Sequence, residues 1–209
     1  MARPMITTVT LAAASDTAVA LSQSPSGAGN LILNGAAVSG GVASFAHARR
    51  IIITSSGNDS GVNFILSGTN GDSNPISETI AGANTGIAAA SSDFKTISSA
   101  YISGAAAGTV KVGTNTTGSS VWYVPNIHAI PFNAAVAIVS TGTVTSTAEY
   151  TYDDPNIVAI PKAWATSGLT NITGSADTAF DRPVAGIRLT VTSGAGTAKL
   201  YVIQAGIKT

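Results

Sequence analysis

Apolar residues in this chain alternate with polar ones at a period of two, and helical periodicity is nearly absent. In "IRLTVTS", residues 187–193, Ile187, Leu189 and Val191 fall on one side of an extended chain. Arg188, Thr190 and Thr192 fall on the other, the pattern of a strand with one buried and one wet face. Such runs recur along the chain, separated by Gly, Asn, Asp and Ser, which accept positive φ or bond their own backbone and so form tight turns. This spacing predicts an all-β fold of sandwich or barrel type. Strands are predicted at "ITTVTLA", "NLILNG", "ARRIIITS", "VNFILSG", "SETIAG", "KTISSAYIS" and "TVKVGT", then at "VWYVP", "AAVAIVS", "STAEYTY", "IRLTVTS" and "AKLYVIQ". The Ala-rich "GIAAASSDFKTISSA" has room for one helical turn or two, but its flanking Gly and Ser and the β-branched residues from Thr96 onward favour a loop followed by a strand.

One design is written twice. "ARRIIITSSGNDSGVNFILSG", residues 48–68, aligns without a gap on "GIRLTVTSGAGTAKLYVIQAG", residues 186–206. Arg50 falls on Arg188, Ile51 on Leu189, Ile53 on Val191, Val62 on Leu200 and Phe64 on Val202. A looser copy, "AYISGAAAGTVKVGT", occupies residues 100–114. Each reads as a β-hairpin. Generic likeness among Val, Ile, Thr and Gly hairpins is one account; two related modules, each closed by such a hairpin, is the other. The Gly/Thr/Ser run "GTNTTGSS", residues 113–120, has the composition of a linker and favours two modules. The expected organisation is an extended N-terminal arm with a first strand (residues 1–29), then two small antiparallel β-sandwich modules, Ig-like or jelly-roll-like, at 30–116 and 117–209. The N-terminal "MARPMITTVTLAAASDTAVALSQS" carries Arg3 and small residues like a signal peptide, but Thr7, Thr8, Thr10 and Asp16 interrupt its apolar centre, so a strand from Met5 to Leu11 is the better reading. The arm is expected to contact partners and to be dispensable for folding.

Composition narrows the function classes. The chain of 209 residues is 44% hydrophobic but only 10% charged, with ten basic and ten acidic side chains. That hydrophobic content argues against disorder, and the charge balance argues against nucleic acid, which needs a dense basic stripe. No apolar run is long enough for a membrane-spanning helix, so no membrane partner is expected. A surface of Ser, Thr, Asn, Gly and Ala with near-zero net charge is cheap to desolvate and does little to keep copies apart.

Catalytic patterns are scarce. There is no cysteine, and His47 and His128 are the only histidines, so zinc would need carboxylate ligands. His47 reads as a solvated loop residue and His128 as packed or backbone-bonded between Pro125 and Pro131. Neither a G-x-S-x-G elbow nor a phosphate-binding G-x-x-x-x-G-K-[ST] loop occurs. The acidic tracts "NDSG" (58–61), "GDSN" (71–74) and "YDDP" (152–155) lack the alternating oxygen ligands of a calcium loop. Adjacent Asp153 and Asp154 point to opposite sides of an extended chain, which makes them poor acid–base partners. The N-x-[ST] triplets at Asn58, Asn115 and Asn171 read as coincidences of a Ser/Thr-rich chain. No enzyme, cofactor or metal is expected. The residues set aside as candidate interface groups are Arg49, Arg50, Trp122, Tyr123, Trp164, Arg182 and Arg188. The arginines are also suited to capping strand ends, and Tyr150 and Tyr152 share a strand face as core or contact anchors.

The motifs of the first half resemble a module of tailed-bacteriophage structural proteins. They are an Arg-led strand, the "GNDSG" turn, "ETIAGAN", the "FKT" strand entry and the closing "GTVKVG". "TAEYTYDDPN" and "AWATSGLTNITGSADTAFDRPVAGIRLTVTSGAGTAKLYVIQAG" are similar to segments of such virion proteins, so the resemblance runs over roughly residues 48 to 206. It implies a non-enzymatic virion component, made in the bacterial host cytoplasm and assembled in many copies. A cement (decoration) protein on the capsid exterior, bound to the major capsid protein and self-associated as a homotrimer, is the leading expectation, since the chain lacks the helical segments of portals and many fibres. A tail or head–tail junction protein is the alternative. A virion surface module that binds a host glycan or protein is the other, with Trp122, Tyr123, Trp164, Tyr150 and Tyr152 as its aromatic candidates. The family carries no catalytic residues to transfer.

Overall fold

The computed structural model describes residues 4–205; Arg3 and the end of the chain from Gly206 lie outside the described residues. The described residues form strands and no helix, and so none long and apolar enough to cross a membrane. The strands are β1 (Met5–Thr10), β2 (Ser15–Gln23), β3 (Gly29–Asn30), β4 (Val38–Ser39) and β5 (Val42–Asn58). They continue with β6 (Asn63–Thr69), β7 (Pro75–Ala81), β8 (Asn84–Ile102), β9 (Val110–Ser119) and β10 (Asn133–Gly142). The last five are β11 (Thr145–Thr151), β12 (Trp164–Ala165), β13 (Ser175–Phe180), β14 (Gly186–Ser193) and β15 (Gly196–Ala205). The fold is all-β, antiparallel and sandwich-like. The chain divides into two compact units, one of residues 13–115 and one of residues 1–12 with 116–209.

The unit of 1–12 and 116–209 is a sandwich. One sheet has the order β1-β15-β10-β13, and the other contains β12-β11-β14 with the end of β9. Their inner faces share one apolar core: Val9, Val136, Ile138, Leu200 and Val202 from the first sheet meet Ala148, Ile187, Leu189 and Val191 from the second. Each fully buried Val, Leu or Ile contributes about 1.5–3 kcal/mol, so this shared core is what joins the sheets.

The chain passes between these sheets at two corners, β10 to β11 and β14 to β15, and the corners nest. Thr143 N donates to Ala195 O at 2.9 Å, and Gly142 pairs with Gly196. Gly194 (φ 89°) lies so close that a Cβ there would stand 2.1 Å from Thr143 O. The expected hairpin at 186–206 is therefore a corner between two sheets. Its strands bury Ile187, Leu189 and Val191 against Ala198, Leu200 and Val202, as the alternation requires, but from opposite layers.

The unit of 13–115 is built on a different plan, around long strands in the order β9-β5-β8-β6-β7. The expected hairpin at 48–68 is not one either, because β8 lies between β5 and β6. Nor is the copy at 100–114, because β5 lies between β8 and β9. The close-set hairpins are β6–β7, and β4–β5 through Gly40 (φ 58°) and Gly41 (φ 80°), the two-residue turn that needs positive φ twice.

Strand β8 is folded over the core. Asp59 N donates to Ala83 O and Ser103 N donates to Asn63 O, both at 2.9 Å. Residues 59 and 63 can be no more than about 14 Å apart, whereas an unbent strand from 83 to 103 would span about 65 Å. The bending is absorbed by register shifts between β5 and β8 and by left-handed backbone at Thr85 (φ 50°) and Gly86 (φ 145°). The curled sheet encloses Ile51, Ile53, Phe64, Leu66, Phe94 and Ile97.

Residues 4–29 are part of the fold and not a free arm. β1 pairs along its whole length with β15, and β2 pairs with β9 while burying Ala18, Val19 and Ala20. The predicted loop in "GIAAASSDF" is strand, part of β8, and the predicted strand "VWYVP" makes only the bridge Tyr123–Ile187.

Candidate functional site

The candidate arginines of the 13–115 unit turn inward. Arg49 is 4% exposed; its guanidinium Nη2 donates to the Asn115 carbonyl, and burial lowers its pKa. Arg50 is half-buried and donates through Nε to Asp93 at 2.9 Å. Asp59, in the "NDSG" tract, is fully buried, and its Oδ1 accepts a bond from Ala107 N at 2.7 Å. These charged groups tie strands and loops together inside the unit and leave little to offer a partner.

The other five candidates lie in the unit of 1–12 and 116–209. Trp122, Tyr123 and Arg188 meet around the start of β14. The Arg188 guanidinium stacks 4.5 Å above the Trp122 ring, an attraction of about 1–2 kcal/mol when partly desolvated. Arg188 Nε also donates to Glu149 Oε2 at 2.7 Å, and Thr190 Oγ1 donates to the same oxygen at 2.9 Å. Trp122 is thereby buried, at 7% exposure, and anchors the segment 121–132 to the sheet.

Trp164 and Arg182 remain exposed beside a second group of rings. Cross-strand pairing sets Trp164 opposite Tyr150, and the two rings stack at 5.9 Å and 22°. Tyr152 and Phe180 close on Tyr150 edge-on, at 5.5 and 5.4 Å. Next to these rings opens a cleft of about 210 Å³, with Tyr150 and Phe180 in its wall and Thr166, Thr178, Asp181 and Arg182 around it.

A feature outside the candidate set adjoins Trp122. "PNIHAIP" (125–131) and "PNIVAIP" (155–161) differ only at His128 and Val158, thirty residues apart. The copies also share their exposure pattern: each first proline is buried, each alanine half-buried, and both isoleucines of each copy face solvent. Ile130 and Ile157 are 80% and 81% exposed, Ile127 and Ile160 47% and 55%. Both loops root at Gly186, where a Cβ would stand 2.9 Å from Pro155 and 3.1 Å from Trp122.

Both loops are also braced. Gln204 holds the first, accepting from Asn126 N at 2.7 Å and donating to Asn126 O at 2.6 Å. In the second, Asp154 Oδ1 accepts from Asn156 N and Nδ2, and Asp153 Oδ2 accepts from Lys162 N. The "YDDP" carboxylates thus fix a loop. The repeat was readable from sequence as two seven-residue segments identical at six positions, a sharper signal than the apparent hairpin echo. No protein-family model matches the chain, and no curated protein matches it.

Proposed function

We propose that this chain is a non-enzymatic structural component of a tailed-phage virion, a cement protein that binds the major capsid protein on the outer shell. The observation that carries this reading is the pair of matching, braced loops that hold four isoleucines in water. Exposed apolar groups on a weakly charged surface suit protein contact, and bracing removes much of the ordering cost of binding. Complete burial of four isoleucines is worth at most about 6–12 kcal/mol. Association itself costs about 4–15 kcal/mol, so a single contact is weak and multiplicity must add the rest. A shell of repeated subunits supplies that multiplicity, and two like loops fit two like sites on it. Self-association as a homotrimer belongs to the same reading.

The test is co-sedimentation of the purified protein with isolated shells that lack it. Wild type should pellet with the shells, and the double variant Ile130→Asp, Ile157→Asp should stay in the supernatant while keeping its melting temperature, because both side chains are already exposed. Unchanged pelleting of that variant would remove the loops from the interface. Copy number in virions separates shell from tail: hundreds of copies support cement, whereas about six or twelve, as in rings of cyclic symmetry, mean a tail or junction protein.

A further inference from the structure

We propose that the cleft beside Tyr150 binds one neutral hexose ring, as a terminal unit or a single sugar. A hexose presents a patch of C–H bonds on a ring face and hydroxyls that both donate and accept around its rim. The cleft offers a counterpart to each. Tyr150 and Phe180 supply apolar aromatic wall against which C–H bonds can pack. Around them stand an acceptor, the Asp181 carboxylate, a fork of donors, the Arg182 guanidinium, and the hydroxyls of Ser167 and Thr178, which do either.

Three further observations shape the ligand. The volume of about 210 Å³ is below the roughly 300–1,000 Å³ of sites for drug-sized molecules, which limits the occupant to one ring. Asp181 and Arg182 are exposed neighbours of opposite charge, and neither forms an ion pair among the described residues, so the rim suits a neutral polyol better than an anion. Thr166, which also lines the cleft, is 3% exposed with its Oγ1 unpartnered. An unsatisfied buried hydroxyl calls for an explanation, and a polar ligand or ordered water beside it is one. Trp164 and Tyr152 (37% and 50% exposed) pack on Tyr150 and add exposed aromatic surface next to it.

This site uses none of the four loop isoleucines, so it stands or falls separately from the cement reading. The full-length protein, isotopically labelled, is titrated with D-glucose, D-galactose and D-mannose, and with N-acetylneuraminic acid as the anionic comparison. At least one hexose should shift the amide signals of Thr166, Ser167, Asp181 and Arg182 saturably, with a Kd of about 1 mM. Asp181→Ala and Arg182→Ala should each weaken it about tenfold, or about 1.4 kcal/mol, with an unchanged melting temperature. The Ile130→Asp, Ile157→Asp variant should bind the sugar as wild type does. Absence of saturable shifts with all three hexoses, binding of the acidic sugar alone, or binding indifferent to both cleft substitutions would overturn the proposal.

Discussion

The two units solve the same problem in opposite ways. Residues 13–115 curl long strands over one core and draw charged groups in with them: Arg49, Asp59 and Asp93 are all buried. The unit of 1–12 and 116–209 stacks two sheets over a core of aliphatic and aromatic side chains and leaves apolar groups outside, on loops. The first uses polar chemistry to hold its bends, because a bulged strand frees backbone groups that need new partners. The second buries hydroxyls rather than charges, among them Ser120, Ser140, Ser146 and Thr147, and carries its most exposed isoleucines on loops. The contrast makes the sandwich unit the place to look for partners and the curled unit the place to look for conditional stability.

The harshest way to break the comparison is to take a strand from each unit at once. Deleting residues 2–28 takes β1 from the sandwich and β2 from the curled unit, with Val9, Ala18, Val19 and Ala20 from the cores. The truncated chain should fail to fold, giving no cooperative thermal transition by circular dichroism. A cooperative transition near that of the full chain would restore the idea of a dispensable arm.

Next in size is the sandwich corner. Gly194→Ala places a Cβ 2.1 Å from Thr143 O at a backbone φ of 89°, and it should cost about 2–4 kcal/mol from strain and displacement of the paired corner. Chemical denaturation measures this, and a loss below about 0.5 kcal/mol, the size of an ordinary surface change, would show that the corners do not depend on one another. The matched change in the curled unit is Asp59→Ala, which leaves Ala107 N without its acceptor. The loss there should be about 1.5–3 kcal/mol, the range for a hydrogen bond to a charged group. Hydrogen exchange should place it around residues 103–109, and uniform loss of protection across both units would contradict the local role assigned to Asp59.

Much of the burial was legible in the sequence, and little of the connectivity. Alternation placed Ile51, Ile53, Phe64, Leu189, Val191 and Leu200 inside, and all six are buried. It did not say which strand lies beside which, because a hairpin and a corner between sheets both turn alternate side chains into a core, and short turns serve either. That is why both copies of the repeated design read as hairpins when neither is one. β2 ("SDTAVALSQ") and β13 ("SADTAF") carry little strand signal because Ala, Ser and Asp have weak strand preference, which tertiary pairing overrides. At the site, the candidate Arg182 lines the cleft and Trp164 stacks on its wall residue Tyr150, while Arg49 is internal. What gathered Tyr150, Phe180, Thr166 and Asp181 around one cleft was the pairing of β11 with β12 and β10 with β13, which no local pattern encodes.

The smallest expected effect is also the most selective, and it concerns pH. Burial lowers the pKa of His47 below its ordinary 6.5, with the nearby charges of Lys95 and Arg49 adding to the shift. The unfolded chain therefore takes up the proton first, and stability present above about 6.5 declines as the pH falls toward the folded value. Glu78 follows at lower pH. Burial works to raise its carboxyl, but bonds from Ser91 N, Ser91 Oγ and Ser92 N outweigh it and hold the group below 4.5. Its stabilisation is present above 4.5 and is lost as the pH drops through the folded value. Both groups belong to the 13–115 unit. Mild acidification should therefore loosen amide protection at Ile51 and Ile53 before that at Leu189 and Leu200, read by hydrogen exchange corrected for its intrinsic pH dependence. His47→Gln should flatten the first part of the decline, and Glu78→Gln should weaken the second while lowering stability at neutral pH. Equal loss in both units, or an unaltered profile in His47→Gln, would mean that His47 does not begin the acid response of the curled unit.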